Sequence, residues 1–269
     1  MKKISVVIPC YNEADGIAQV IKGFENPKLG RYGYKVEVIV VDNNSTDDTA
    51  RIAAAAGARV ICETRQGKGH AIRTAFASIP VTTDYVVMLD GDDTYRPEEI
   101  IRMVEPLDSG FCNVVIGSRL GGRIGAGSMR PLNRLGNWGY SHLVRACYRV
   151  NVTDVLTGYF AWKRDVVVKL QPHLTSAGFA IEMEMITKMA RLGEEIYSVP
   201  ISYHSRAGES SLRPFHDGFR ILVMFMKNLA WQPGSSRISD ASAIPARTHR
   251  GLSRRSLNSF YEFLGRKGE

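Results

Sequence analysis

The sequence lacks the marks of several protein classes. No run of apolar residues approaches the roughly 18 to 20 needed to span a bilayer, and the longest one, at 221–226, ends at Lys227. The four cysteines are scattered without a Cys-x-x-Cys pair, which argues against a zinc site or a disulfide framework and fits a reducing cytoplasm. No basic motif interleaved with aromatic residues is present, so we expect no nucleic-acid partner.

What the chain does contain is typical of a soluble globular protein. It has 269 residues, of which 44% are hydrophobic and 23% charged, enough for one large domain or two small ones. Its formal net charge is +8. Such an excess of positive charge favours an anionic partner, and phosphorylated substrates or an acidic membrane surface fit it without invoking nucleic acid.

The first half of the chain alternates between strands and helices. Helical spacing of apolar residues over 14–24 separates two β-branched apolar runs, which predicts a βαβ unit and hence a parallel sheet. The predicted strands of this half are 4–9, 36–41, 59–62, 85–89 and 114–117.

The alternation breaks after Arg119. Residues 121–137 are rich in glycine and arginine with little apolar pattern, so we predict a long, mobile loop there. Pro200 lies inside the last predicted strand, which is therefore an edge or bent strand. The elements predicted for this half are helices from about 138 to 148, at 181–192 and at 215–231, and strands at 157–162 and 196–203.

Polar clusters follow three of the predicted parallel strands. Pro9-Cys10-Tyr11-Asn12-Glu13 follows the first, the segment from Asp42 to Asp47 follows the second, and Asp90-Gly91-Asp92 follows the fourth. Open α/β sheets bind ligands at this rim. Two carboxylates one residue apart are able to converge on a hard cation such as Mg²⁺ or Mn²⁺. The alternative is that these clusters are polar turns and helix caps.

These motifs together resemble those of the family 2 inverting glycosyltransferases, which have the GT-A nucleotide-diphospho-sugar fold. Within that family the chain is most similar to the polyprenyl-phosphate (dolichyl-phosphate) mannose and glucose synthases. The resemblance covers about residues 4–212. Besides the three clusters, the matching segments are Gly67-Lys68-Gly69, Gly117-Ser118-Arg119 and Arg206-Ala207-Gly208-Glu209-Ser210.

The resemblance implies a nucleotide pocket and a metal pair. Asp42 would accept hydrogen bonds from the base or ribose, unless it is only a helix cap. Asp90 and Asp92 would hold Mg²⁺ or Mn²⁺. The full set implied to contact the nucleotide is Pro9, Tyr11, Glu13, Asp42, Lys68, Asp90 and Gly91.

The residues implied to act in catalysis are Asp92, Arg119, Arg206 and Glu182. Arg119 would reach the acceptor or donor phosphate, and Arg206 would hold the diphosphate, because a guanidinium fork fits phosphate oxygens. Either arginine is otherwise a surface charge. Glu182 and Glu184 lie where many relatives carry a catalytic acid. Residues two apart on a helix face different ways, so only one enters the site, and we favour Glu182 over a structural carboxylate.

The predicted fold is α/β: a Rossmann-like, mixed but mostly parallel GT-A sheet with flanking helices. Residues 1–212 would form the glycosyltransferase domain, 213–232 an amphipathic and membrane-interfacial helix, and 233–269 a basic, flexible tail. The alternative for the helix is packing on the core or a dimer contact, so a homodimer stays open. A helix and tail of this kind would place the enzyme in the cytoplasm, peripherally on the cytoplasmic face of the membrane.

The predicted reaction is transfer of a sugar from GDP-mannose, UDP-glucose or a UDP-N-acetylhexosamine to a polyprenyl (dolichyl) phosphate. A phosphate monoester is largely dianionic near neutral pH, so it needs no general base, whereas a hydroxyl acceptor does. Two alternatives stay open. One is a family 2 enzyme acting on a glycan or protein hydroxyl, and the other is a non-catalytic nucleotide-binding or membrane-docking protein.

Overall fold

A computed structural model of the chain describes residues 1–206 and 213–234. Seven strands form one sheet: β1 Lys2–Cys10, β2 Tyr34–Asp42, β3 Arg59–Cys62, β4 Tyr85–Met88, β5 Val114–Ile124, β6 Phe160–Lys163 and β7 Ile196–Tyr203. The α-helices are α1 Ala14–Lys22, α2 Pro27–Arg31, α3 Thr49–Ala55, α4 Lys68–Ala77, α5 Ile100–Asp108, α6 Pro131–Tyr148, α7 Arg164–Leu170, α8 Ile181–Arg191 and α9 Pro214–Ala230.

The sheet is mixed and mostly parallel, with the strand order β3-β2-β1-β4-β6-β5-β7. Strand β1 runs parallel to both β2 and β4, and β5 runs parallel to β7. Strand β6 lies between β4 and β5 and is antiparallel to both. The predicted mixed, mostly parallel sheet is therefore confirmed, and β7 is an edge strand as its proline predicts.

Both faces of the sheet are buried. Val86 and Met88 enter one apolar cluster, whereas Val87 and Leu89 enter another on the opposite face. Successive side chains of a strand point to opposite faces, so a strand covered on both sides reads as a continuous apolar run. This is why β4 was recognisable from its sequence alone.

The long loop predicted for 121–137 is wrong. Strand β5 continues to Ile124 and pairs with β7 as far as Tyr203. The glycines that suggested a loop serve a close approach instead, because a Cβ at Gly122 would lie 2.0 Å from the Ile201 carbonyl oxygen. Helix α6 then starts well before the predicted residue 138, with Pro131 in its first turn.

Three further details differ from the sequence-based expectation. The short helices α2 and α7 were not predicted, and β6 begins at Phe160 rather than at residue 157. Both helices span seven residues or fewer, which is too short for a helical period to stand out.

Helix α9 packs on the domain by one face and exposes a second apolar face. Ile221 and Phe225 are buried in the core, and Asn228 donates a 2.7 Å hydrogen bond to Thr187 Oγ1 of α8. The exposed apolar residues of this helix follow helical spacing along the other side: Phe215, Phe219, Leu222 and Met226. Packing on the core is thus established, and the interfacial role stays a prediction. The predicted tail lies, from residue 235 onward, outside the described residues.

None of the helices in 1–206 and 213–234 is both long and apolar enough to cross a bilayer.

Candidate functional site

The ends of β1, β2 and β4 meet at one rim, as the sequence predicts. Cys10 and Asp42 are register partners at the ends of β1 and β2, and Asn43 N donates a 2.8 Å hydrogen bond to Cys10 O. A cleft of about 280 Å³ opens at this rim. Its lining includes six of the predicted site residues: Pro9, Tyr11, Glu13, Lys68, Asp90 and Arg206.

The loops after β1 and β2 are hydrogen-bonded to each other. Asn12 N donates to Ser45 Oγ at 3.0 Å, and Thr46 N donates back to Asn12 Oδ1 at 2.8 Å. Glu13 N donates to Thr49 Oγ1 at 2.9 Å. Two of the three predicted polar clusters thus form one fixed wall of the cleft.

Asp42 lies in this wall and does not cap the helix that follows it. Asp47 takes that part, because its Oδ1 accepts a 3.0 Å hydrogen bond from Thr49 N in the first turn of α3. Asp42 is 4% exposed, and its Oδ1 has no hydrogen-bond partner among the described residues. A buried carboxylate oxygen without a donor is costly, so the geometry suits a ligand that supplies one.

Each carboxylate of the Asp-Gly-Asp motif faces one cation. Lys68 Nζ lies 2.7 Å from Asp90 Oδ1, and Arg206 Nη2 lies 2.6 Å from Asp92 Oδ2. Among the described residues Asp92 Oδ2 has no hydrogen-bond partner, so its contact with Arg206 is ionic only. Asp92 Oδ1 accepts from Thr94 N and Thr94 Oγ1 at 3.1 and 2.6 Å.

The backbone behind Asp90 leaves no room for a side chain. A Cβ on Gly158 would lie 2.3 Å from Asp90 Oδ2. Gly158 N donates a 2.7 Å hydrogen bond to the buried Tyr95 hydroxyl, which fixes this backbone in place. The rotamer of Asp90 is thereby limited from behind.

The pKa values of three acidic groups at the rim are shifted in different directions. Burial and the charges of Asp92 and Asp90 raise the pKa of Glu13 to about 8. Burial and the charge of Asp90 raise the pKa of Asp92. Burial also opposes ionisation of Asp90, but Lys68 outweighs it and lowers the pKa of that carboxyl.

Glu182 faces the site and Glu184 faces away. Glu182 Oε1 lies 2.8 Å from Lys68 Nζ, and burial raises the pKa of Glu182 although Lys68 opposes the rise. Glu184 is fully buried, accepts hydrogen bonds from Thr175 N and Ser176 N, and pairs with Lys188 at 2.6 Å. The predicted choice between the two agrees with this placement, while a catalytic role for Glu182 stays a prediction.

Arg119 lies in a buried ion pair rather than in the open cleft. Its Nε and Nη2 donate to the two oxygens of Asp154, each at 2.8 Å, and its backbone N donates to the same carboxylate at 2.8 Å. Nη2 also donates to Leu156 O at 2.5 Å. Arg119 was expected to reach the acceptor or donor phosphate, but in the structure its Nε and Nη2 are bound to Asp154.

Several residues that shape the site were not identified from the sequence. Asn43 accepts from Gly67 N at 2.7 Å and donates to Glu63 O and Arg65 O, which holds the loop before Lys68. Its signal was its position directly after Asp42. The roles of Gly158 and Tyr95 behind Asp90 were not predicted, because only the fold brings them to that carboxylate.

A divalent cation fits the donor set of this rim. Mg²⁺ commonly takes one or two carboxylates and completes its shell with water and substrate phosphates. Asp90 and Asp92 are such a pair, and no residue of the described ranges donates a hydrogen bond to the buried Asp92 Oδ2. Over the described part of the chain no three His, Cys, Asp or Glu side chains are grouped to hold a metal ion. The remaining ligands would therefore come from the substrate.

A larger cleft of about 590 Å³ lies at the opposite, amino-terminal end of the first strands. Its charged rim includes Lys3, Lys35 and Arg59, and Arg59 is already paired with Glu37 at 3.1 Å. None of the predicted site residues lines it. Size alone does not identify a site, and α/β sheets place ligands at the other end of their strands.

Comparison with known proteins defines the class. The family model described as glycosyl transferase family 2 matches residues 5–170. This chain therefore belongs to glycosyl transferase family 2 and is an enzyme.

Relatives within the family are substantially similar. The glycosyltransferase AglJ of Haloferax volcanii is 35% identical over 217 residues, which is 80% of this chain and 68% of that protein. The dolichyl-phosphate hexose transferase of the same organism is 34% identical over 218 residues, covering 81% and 90%. Together with the family match, these relatives make a hexosyltransferase the class of enzyme.

A solved structure confirms the GT-A fold. Glucosyl-3-phosphoglycerate synthase from Mycobacterium tuberculosis, in complex with Mn²⁺, UDP and phosphoglyceric acid, matches with a TM-score of 0.66 and 26% identity. The match covers 87% of this chain and 80% of that one.

Replacing Gly158 tests whether the backbone positions Asp90. We expect Gly158→Ala to push the Asp90 carboxylate aside and lower kcat/KM roughly hundredfold, the loss typical of an ångström-scale misplacement. Gly139→Ala is the matched control, because a Cβ there meets nothing within 4 Å. Equal steady-state rates for both variants, with circular dichroism showing both folded, would contradict this assignment.

The raised pKa of Glu13 predicts a pH-dependent cost to stability. A carboxyl with a folded pKa of about 8 and an unfolded pKa of about 4.3 keeps its proton only in the folded chain, so stability falls as pH rises between those values. Glu13→Gln should therefore raise the free energy of unfolding by about 1–3 kcal/mol near pH 8 and by almost nothing near pH 4. Urea titrations at several pH values measure this, and a pH-independent difference would refute it.

Proposed function

We propose that this enzyme transfers a hexose, with inversion, from a nucleoside-diphosphate sugar to a polyprenyl phosphate. The observation that carries the acceptor is the second apolar face of α9, whose residues Phe215 and Phe219 are 83% and 68% exposed. A lipid acceptor requires contact with a bilayer, and an exposed apolar face of this kind supplies it. The likeness to a dolichyl-phosphate hexose transferase supports this choice.

In this proposal the membrane-facing surface consists of α9 and the adjoining helix α6. Tyr140 of α6 donates a 2.8 Å hydrogen bond to Gly218 O of α9, so the two helices are in contact. Exposed apolar residues of α6 add to those of α9: Leu132, Leu135, Trp138 and Leu143. Exposed cations flank both helices, as an anionic bilayer surface requires: Arg130, Arg134, Arg145, Arg213, Arg220 and Lys227.

The donor occupies the cleft at the carboxyl ends of β1, β2 and β4. Asp42 Oδ1 accepts a hydrogen bond from the base or ribose, and Pro9, Tyr11 and Glu13 line the nucleoside pocket. Asp90 and Asp92 would hold a divalent cation, which neutralises charge on the diphosphate when it is bound. Lys68 and Arg206 supply further positive charge to the same diphosphate oxygens.

The acceptor chemistry is a single displacement. A phosphate oxygen forms a bond to C1 of the sugar, the bond from C1 to the diphosphate oxygen breaks, and its electron pair leaves on the nucleoside diphosphate. No proton is removed, because the phosphate is already an anion near neutral pH. The protein's task is then to hold two anions together, which cations at the rim accomplish by positioning and electrostatic stabilisation.

A second candidate function is transfer to a sugar or other hydroxyl. The observation that favours it is Glu182, a buried carboxylate with a raised pKa beside Lys68, since a hydroxyl acceptor needs a base of this kind. The structural neighbour named for glucosyl-3-phosphoglycerate synthesis has a non-lipid acceptor, in keeping with this option.

An acceptor panel separates the two. Purified protein with Mn²⁺ and a set of GDP- and UDP-sugars is offered polyprenyl phosphate, free sugars or phosphoglycerate, and product is identified by mass spectrometry. We expect a sugar-phosphate-polyprenol. Product only with hydroxyl acceptors, lost in Glu182→Gln, would reject the lipid proposal in favour of the second function.

The membrane-facing surface is tested by removing its two most exposed aromatics. We expect Phe215→Ser/Phe219→Ser to weaken binding to anionic phospholipid vesicles at least about tenfold, since each buried aromatic contributes about 1.5–3 kcal/mol. The matched control is Tyr32→Ser/Phe111→Ser, which removes two exposed aromatics at the amino ends of β2 and β5. Equal losses for both doubles in vesicle sedimentation would argue against a dedicated surface.

A further inference from the structure

Lys68 occupies the space between two carboxylates of different elements. Its Nζ lies 2.7 Å from Asp90 Oδ1 at the end of β4 and 2.8 Å from Glu182 Oε1 in the first turn of α8. We propose that the Lys68 ammonium and a divalent cation compete for Asp90, so that the metal binds well only together with a nucleoside diphosphate that attracts Lys68 to itself. This rests on the donor and metal half of the proposed function and not on the acceptor.

The backbone around Lys68 is held while its side chain is able to move. Gly67 has a φ of +132°, and a Cβ there would lie 2.3 Å from Ala177 O. Gly69 N donates a 2.9 Å hydrogen bond to that same carbonyl oxygen, and a Cβ on Gly69 would lie 2.1 Å from Ser176 O. The segment before α8 thus clamps both neighbours of Lys68, and only its four-carbon stem is left to swing.

Asp92, the second carboxylate of the proposed metal site, is also already paired with a positive side chain. Arg206 Nη2 lies 2.6 Å from Asp92 Oδ2. A divalent cation at this pair would stand beside two positive side chains in a buried setting, where like charges repel strongly. A diphosphate reverses this balance, because its oxygens attract all three cations.

A place for the displaced ammonium exists within the cleft. Lys68, Asp90 and Arg206 line the same space of about 280 Å³, together with Gln66 and Gly67. Diphosphate oxygens bound in this space would reach both cations at once. Glu182 Oε1, 2.8 Å from Lys68 Nζ, gives the ammonium a buried partner besides Asp90.

Metal binding without turnover tests the competition. Mn²⁺ titrations followed by electron paramagnetic resonance are run on wild-type enzyme with and without UDP or GDP, in the absence of any acceptor. We expect the nucleotide to tighten Mn²⁺ binding by on the order of tenfold or more. In Lys68→Met, nucleotide-free Mn²⁺ binding should tighten by a similar factor and the nucleotide effect should shrink.

The chain offers a matched control for the loss of a buried lysine. Lys188 pairs with Glu184 at 2.6 Å and is even less exposed than Lys68, but it does not line the cleft. Lys188→Met should leave Mn²⁺ binding unchanged, and Lys68→Arg, which keeps the charge, should bind nucleotide-free Mn²⁺ as weakly as wild type. Arg206→Met provides a second variant with the same expected direction as Lys68→Met.

Two outcomes would overturn the proposal. In one, folded Lys68→Met and Arg206→Met bind nucleotide-free Mn²⁺ no more tightly than wild type. In the other, wild-type enzyme binds Mn²⁺ equally well with and without nucleotide. Neither outcome affects the acceptor panel. If instead no Mn²⁺ binds under any condition, the metal half of the proposed function fails along with this competition.

Discussion

The buried ion pair between Arg119 and Asp154 is the contact on which the backbone behind Asp90 depends. Asp154 is fully buried and accepts three hydrogen bonds from Arg119 and one, at 2.6 Å, from Asn137 of α6. The segment that follows it leads directly to Gly158 and so to the back of Asp90. Removing one partner of such a pair leaves an uncompensated charge, typically at a cost of about 3–5 kcal/mol. One carboxylate thus joins β5, α6 and the backbone behind Asp90.

The rim of the sheet was predictable because it depends on residues that are close to each other in the sequence. A buried strand reads as an apolar run, and the polar residues after it must lie at its carboxyl end, so the order of residues along the chain was enough to assign Glu13, Asp42 and Asp90 to one edge. The predicted helix periodicity likewise separated Glu182 from Glu184. What the sequence could not show is which charges meet. Lys68 reaches Asp90 from a different element of the chain, and Arg119 turns to Asp154 rather than to the cleft.

Glycines explain the wrongly predicted loop at 121–137. Gly121 and Gly122 were interpreted as loop residues, although Gly122 instead lets β5 approach Ile201 closely. The sequence did not link Gly158 to Asp90, yet the missing side chain of Gly158 makes room for that carboxylate. A glycine indicates either a flexible backbone or a position that another atom approaches closely. Only the residues that surround it in the fold distinguish the two cases. The glycine content therefore located the segment with unusual backbone, but it predicted a loop where the structure has two strands in close approach.

The antiparallel strand β6 determines when the sheet can become fully paired during synthesis. It lies between β4 and β5, so β4 has an unpaired edge from the time Met88 is synthesised until Phe160 follows. At about 5–20 residues per second on the ribosome, that interval lasts several seconds. During it β1, β2 and β4 already exist while one edge of their sheet is open to other chains. An apolar strand with an unpaired edge is a template for aggregation, so chaperone supply during synthesis is expected to affect the yield of this enzyme.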